Sequence, residues 1–448
     1  MPRRPNTIVF LTDQQRWDTT GLHGNPLDLT PNLDRVAREG THVRYSFTCQ
    51  PVCGPARSSL QTGLYATQTG CHINGIPLDP ELPTLAKWFR DAGYRTGYIG
   101  KWHLASEEPV PPDQRGGYED WLASNVLEFT SDAYDTMMFD EAGESKKLPG
   151  YRVDALTDAA ITYIDKHQDD PFFLFISYIE PHHQNQRDDY PAPTGYRERY
   201  EGRWMPPDLA ALGGTAHQHY AGYCGMVKRL DEAYGRLLDA LRSLDLLDNT
   251  IVLFTSDHGN HFKTRNGEYK RSLHEASVRV PTVLTGPGFN GGGEIRDLVS
   301  LIDLPPTLLD AAKIDVPDHL PGRSLLDLVD RRASRPWPDD VFIQISESQT
   351  GRALRTQRWK FGVTAPDSTP REAAFCDVYH ESALYDLYAD PHELHNLIHE
   401  RSHEEVCRKL TDRLQTHMRR IGEPPATIIP ADKRPSGQRR LAESELFA

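Results

Sequence analysis

The sequence predicts an α/β protein: a large, mostly parallel or mixed sheet flanked by helices, then a small C-terminal antiparallel sheet with a helix. Three observations predict it. Short runs rich in Ile, Val, Phe and Tyr recur through the first three-quarters of the chain, bounded by Gly, Pro or Asp, as buried strands are. Segments with helical spacing separate them, an alternation that favours parallel strands covered on both faces. The last quarter turns to short strand-like runs joined by turns, then one polar helical stretch.

In chain order, residues 7–11 (Thr-Ile-Val-Phe-Leu) read as the first strand. Residues 30–39 read as a helix, with Thr30 as its cap and Pro31 in its first turn. Cys53-Gly54-Pro55-Ala56-Arg57 opens a stretch, 58–63, suited to a short helix. Helices are then expected at 82–92, 153–167 and 222–247, and strands at 95–99, 172–179, 250–255 and 282–284. Beyond a Pro-rich linker at Arg335-Pro336-Trp337-Pro338, strands are expected at 341–347, 351–355, 359–363 and 383–388, and a helix at 402–420. The expected organisation is therefore a large α/β domain at 1–335, a C-terminal antiparallel-sheet subdomain at 336–429 and a polar tail at 430–448.

The 448 residues suffice for a large core and about two domains. A formal charge of −14 argues against a nucleic-acid partner; handling an anionic substrate would then need a local cluster of cations or a metal. The apolar run at 7–11 is too short for a secretory segment, and no run approaches the ~18 residues of a membrane span. The expectation is a cytoplasmic enzyme without a membrane partner. Its six cysteines, at 49, 53, 71, 224, 376 and 407, lack CxxC spacing and read as mostly free thiols. A homo-oligomer is left open, with the tail as an arm for a neighbour.

Ionisable residues gather at the ends of the expected strands. These ends carry Thr12-Asp13-Gln14, Gly100-Lys101-Trp102-His103, Glu180-Pro181-His182-His183 and Ser256-Asp257-His258-Gly259-Asn260. One Asp after a strand is ordinarily a turn former. Four such ends point to a single site, because open α/β sheets bind ligands at the carboxyl ends of their strands. Asp13 and Asp257 offer hard oxygens and Gln14 an amide oxygen, with His258 or Asn260 to complete a divalent shell. The expected cofactor is one divalent cation, Ca²⁺, Mg²⁺ or Mn²⁺ rather than Zn²⁺, because the donors are mostly oxygens. Lys101 and His103 share a face in extended backbone and would clamp a tetrahedral oxyanion. His182 would protonate a leaving oxygen, and Lys270 would add a cation. Singly, each has a plainer reading as a structural histidine, a solvated lysine or a loop residue. His183, Asn185 and Arg187-Asp188-Asp189 read as a polar loop or as a substrate mouth. Cys53, at a helix start with Arg57 one turn on, sits in a positive field that favours its thiolate.

Further stretches join these: Thr30-Pro31-Asn32-Leu33-Asp34, Cys53-x-Pro55-x-Arg57 with Thr62-Gly63, Lys270 five before Glu275, Arg279-Val280-Pro281, and residues 384–391 with Asn396-Leu397. In this order, over nearly the whole chain, they resemble the type I sulfatases of the alkaline phosphatase superfamily. The resemblance implies an alkaline phosphatase-like fold. It implies that Cys53 is converted to formylglycine (3-oxoalanine) by a formylglycine-generating enzyme. The hydrate would be metal ligand and nucleophile, its second hydroxyl expelling sulfate, with Arg57 holding it. Asp13, Gln14, Asp257 and His258 would complete the metal site; Lys101, His103, His182 and Lys270 would contact sulfate and leaving group. The chain departs at Gln14, where many members have a second Asp, and at Ala56, where many have Ser.

Gln14, the 53–57 motif and Asn74-Gly75-Ile76-Pro77-Leu78-Asp79 also resemble the phosphonate monoester hydrolases, which makes Asn74 a candidate substrate contact or a plain turn residue. Those hydrolases carry neutral Tyr and Thr types where this chain has Lys101 and His103. The expected reaction is hydrolysis of a small-molecule or sugar sulfate monoester to alcohol and sulfate. The alternatives are a phosphonate monoester hydrolase or phosphodiesterase, and a non-catalytic anion-binding relative with unmodified Cys53. Specificity is expected in the insertions at 107–151 and 184–216.

Overall fold

The computed structural model describes residues 4–291, 293–330 and 336–434. An eleven-stranded mixed sheet carries the larger part. Its strands are β1 (Asn6–Thr12), β2 (Thr41–Phe47), β3 (Arg95–Lys101), β4 (Asp120–Ser124), β5 (Thr136–Phe139), β6 (Ser145–Leu148), β7 (Phe172–Ser177), β8 (Thr250–Ser256), β9 (Arg279–Val280), β10 (Thr282–Thr285) and β11 (Gly293–Ser300). They lie in the order β11-β2-β10-β8-β1-β7-β3-β4-β5-β6, with β9 on β2. The middle, β8-β1-β7-β3-β4, is parallel; β10, β5 and β6 pair antiparallel.

The strand pattern follows from burial on both faces. Along β1, Ile8 and Phe10 join one apolar cluster while Val9 and Leu11 join the other, as side chains alternate across a pleat. The helices Pro31–Glu39, Arg152–Lys166 and Ala216–Ser243 cover the Ile8 face through Val36, Leu156 and Leu237. The helices Cys53–Thr62, Leu85–Asp91 and Leu304–Ala311 cover the other through Leu60, Phe89 and Leu308. Each such side chain removed from water contributes about 1.5–3 kcal/mol.

A second sheet holds β12 (Asp340–Ile345), β13 (Gly351–Thr356), β14 (Trp359–Thr364), β15 (Val378–Asp386) and β16 (Thr427–Ile429). Its first four strands are antiparallel, and β16 adds in parallel to β15. The helix Glu404–Arg420 packs on it through Leu410, Leu414 and Met418. Among the described residues, no helix is long and apolar enough to cross a membrane, and all six cysteines are free.

Several expectations shift. Thr30 makes no capping bond; its hydroxyl is engaged with Asp34 and Gly21 instead. Asp231 of the Ala216–Ser243 helix caps that end by accepting the N–H groups of Asn32 and Leu33. The helix expected at 82–92 begins at Leu85, because Thr84 accepts the Lys87 N–H as its cap. The stretch 107–151, read as an insertion, supplies β4, β5 and β6. Strands β2 and β11 carry polar residues inside and escaped the pattern. The expected boundary at 335/336 abuts residues 331–335, which lie outside the described residues, as does most of the tail at 430–448. Its described start bridges back through Arg434 to Glu400.

Candidate active site

Register brings the strand ends together. β1 and β8 align Thr12 with Ser256, and β1, β7 and β3 align Leu11, Ser177 and Gly100. Asp13 and Asp257 therefore leave the sheet side by side, and the Gln14 N–H donates to Asp257 Oδ1 at 3.1 Å. Gly100 holds φ +111°, and a Cβ there would lie 1.9 Å from the Ser177 carbonyl oxygen. Only glycine lets β3 pass β7 so closely and deliver Lys101 to this point.

Cys53 is the first residue of its helix, which ends at Gly63 in left-handed conformation. Its sulfur lies 3.5 Å from Asp13 Oδ1, 3.2 Å from His258 Nε2 and 2.8 Å from Lys270 Nζ. Ligand atoms of Asp13, Cys53, Asp257 and His258 all fall within 4.8 Å of one another. Arg57, one turn along the helix, donates to the Lys101 carbonyl at 2.9 Å, Ser177 Oγ at 2.6 Å and Asp13 Oδ2 at 3.0 Å. Its guanidinium is also 3.2 Å from Asp257 Oδ2. Lys101 Nζ bridges Asp13 Oδ2 at 2.8 Å and Glu128 Oε1 at 2.9 Å. His103 follows with φ +62°, so the backbone is no longer extended there, yet its Nδ1 still lies 3.9 Å from the same Glu128 oxygen.

Burial and the neighbouring Cys53 push the Asp13 carboxyl up, but Lys101, His182 and Lys270 outweigh them and hold it below the usual carboxylate range. Asp257 goes the other way, raised to about 6 by burial and by Asp13. Burial would raise the Cys53 thiol; Lys101, Lys270 and His258 bring it well below its ordinary value. Burial and Lys270 lower His182. The His182 Nδ1–H donates to the His183 carbonyl at 2.6 Å. Nε2 is then the acceptor facing Lys270 Nζ at 3.1 Å. The proton donor aimed at the sulfur is thus Lys270, with the His182 Nε2 beside it.

The remaining candidates divide. His258 joins the cluster, whereas Asn260 does not: its amide is spent on Tyr190 and on the Phe262 N–H. Asn74 reaches the centre, but its Oδ1 accepts the Gly54 N–H at 2.8 Å. His183 stacks on His182 and tilts against Tyr269, with Nδ1 3.5 Å from Gln14 Oε1. Arg187 pairs with Asp132, and Asp188 with Lys263 and Tyr269, away from the sulfur. Sequence reasoning missed Glu128, Ser177 and Glu347. Glu128 follows the buried Leu127 in a segment without strand or motif signal; Ser177 ends β7 as an ordinary polar residue.

The Sulfatase family's sequence model matches residues 5–314. The chain belongs to the sulfatase family. It is a sulfuric ester hydrolase by class, and its fold is alkaline phosphatase-like. A second model, described as N-sulphoglucosamine sulphohydrolase, C-terminal, matches residues 267–420. The chain is 29% identical over 441 residues to the ulvan-active sulfatase of Formosa agariphila, covering 94% of this chain and 82% of that one. The structure of yidJ from Bacteroides fragilis superposes with a TM-score of 0.82 at 25% identity, covering 95% and 97% of the two chains. A phosphonate monoester hydrolase from Silicibacter pomeroyi shares the fold, with a TM-score of 0.70 at 21% identity over 94% and 96%.

Proposed function

We propose that this enzyme hydrolyses a sulfate monoester of a sugar, using formylglycine formed from Cys53 and one divalent cation, Ca²⁺ before Mg²⁺ or Mn²⁺. The observation that carries the reading is the Cys53 sulfur, which stands where a nucleophilic oxygen would stand, between Asp13, His258 and Lys270. The donor set fits a cation: two carboxylates and an imidazole converge within 4.8 Å of that position. The Gln14 amide has its Nε2 buried without a partner; with its ends exchanged, that position is a ligating oxygen. Formylglycine hydrate supplies a hydroxyl nucleophile, and the cation lowers that hydroxyl's pKa.

The chain's own residues do the rest. Arg57 ties Asp13 and Asp257 to the helix that carries position 53. Lys101 and Lys270 neutralise charge on sulfate oxygens, with His103 beside them. Lys270, backed by His182, hands a proton to the leaving oxygen. The Lys101–His103 pair, standing where the phosphonate monoester hydrolases carry neutral Tyr and Thr types, supports a sulfate monoester over a phosphonate. The sugar is supported by the second family description and by the name of the Formosa relative, which refers to ulvan. Specificity is placed in 107–151 and 184–216.

The test is a pair of initial rates, on p-nitrophenyl sulfate and p-nitrophenyl phenylphosphonate, followed by a panel of sulfated sugars. Sulfate ester turnover should dominate and vanish in Cys53→Ala. Conversion of Cys53 should appear as a loss of about 18 Da in intact mass, and chelation by EDTA should remove activity that Ca²⁺ restores. A faster phosphonate rate, or full activity in Cys53→Ala, rejects the reading.

A further inference from the structure

The turn between β12 and β13 reaches the catalytic centre, and the chemistry above uses none of its side chains. Glu347 sits on it with φ +65° and a side chain only 1% exposed. Its Oε1 accepts the Asn74 N–H at 2.7 Å, and Asn74 Oδ1 accepts the N–H of Gly54, the residue after Cys53. Its Oε2 lies 2.5 Å from Arg271 Nη2 and 3.4 Å from Arg371 Nη1. Arg271 follows Lys270 and is itself left-handed, with φ +68°. Ser348 donates its hydroxyl to the Arg271 carbonyl at 2.6 Å.

Two arms therefore leave one buried carboxylate and meet again at the Cys53 sulfur. One runs through Asn74 to the start of the Cys53 helix; the other runs through Arg271 to Lys270. Left-handed backbone at non-glycine residues is costly and persists where the surroundings over-determine it, typically at working sites. Gln14 and His103 of the candidate site, Arg271 and Glu347 are four of the eleven non-glycine residues that hold it among the described residues. A buried carboxylate is tolerated only when fully paired, so the geometry of both arms is coupled through Glu347.

We propose that Glu347 is a positioning residue: it sets the separation between position 53 and Lys270, and through it the C-terminal sheet tunes the catalytic centre. The kinetic part of this proposal rests on the sulfate ester reading. Misplacement by about 1 Å costs on the order of 100-fold in rate, so the arms need move little to matter.

The test uses Glu347→Ala, Glu347→Gln and Asn74→Ala in the full chain, with rates normalised to the fraction of position 53 converted. Glu347→Ala should lower kcat at least tenfold with KM within threefold. Glu347→Gln, which keeps an acceptor for Asn74, should recover part of that loss. The double variant with Asn74→Ala should lose no more than the worse single variant, as residues acting in one chain do. Deuterium exchange in the peptide holding Gly54 should quicken at least threefold in Glu347→Ala, with β1 and β8 unchanged. An unchanged kcat, additive losses, or exchange that rises equally throughout overturns the proposal. If wild-type protein turns over no sulfate ester, the proposed function fails alone, and the exchange measurement still decides the role of Glu347.

Discussion

Arg57 shows how much one side chain decides. Its planar fork reaches the Lys101 carbonyl, Ser177, Asp13 and Asp257 at once. A lysine keeps the charge but not the fork. Arg57→Lys should lower kcat/KM at least about 100-fold, roughly 2.7 kcal/mol of transition-state stabilisation, read from initial rates. Lys270 permits a sharper test. If its ammonium supplies the leaving-group proton, Lys270→Ala should slow alkyl sulfates by about 10²–10⁴-fold and aryl sulfates markedly less, because a phenolate departs without help. Equal losses on both would remove it from that role.

At the scale of elements, a helix is capped from outside itself. Asp231 gives its carboxylate to the first turn of Pro31–Glu39, while burial raises it to about 6. Its folded value exceeds the ordinary one, so the charged form costs the fold. Stability from this group is greatest below about pH 4 and falls as pH rises through 6, by up to about 3 kcal/mol. Asp231→Asn should flatten that decline: the stability difference from wild type, measured in urea at pH 4 and pH 7, should shift in favour of the variant at the higher pH. Gly100 is the second element-level case. Gly100→Ala places a Cβ against the Ser177 carbonyl at left-handed φ. It should cost more than about 3 kcal/mol in urea unfolding, with activity lost as β3 shifts Lys101.

Across the whole molecule, the two sheets are joined by a buried charge network. Glu275, ahead of β9, pairs with Arg355 of β13 at 3.1 Å and Lys360 of β14 at 2.9 Å. Lys360 also pairs with Glu393 at 3.2 Å. Lys360 is fully buried, so Lys360→Met leaves two carboxylates short of a cation. The loss should be about 3–5 kcal/mol, seen as a lower urea midpoint, and the site should suffer with it because Glu347 stands on the same sheet. Unchanged stability would show that the sheets hold together by apolar contact alone.

Residue order alone set the local features. The apolar runs of β1, β3, β7 and β8 and the charges at their ends follow from residue order, because a strand buried on both faces must be apolar and its end is where polarity returns. Asp13, Lys101, Asp257 and His258 are legible that way, and Cys53 and Arg57 through the Cys-x-Pro-x-Arg spacing at a helix start. Tertiary structure alone decided which partners complete them. Glu128 and Ser177 carry no local signal, and Glu347 binds Asn74 across 273 residues of sequence. No periodicity encodes such a pairing. It exists only once two sheets pack and a carboxylate leaving water must find its donors inside.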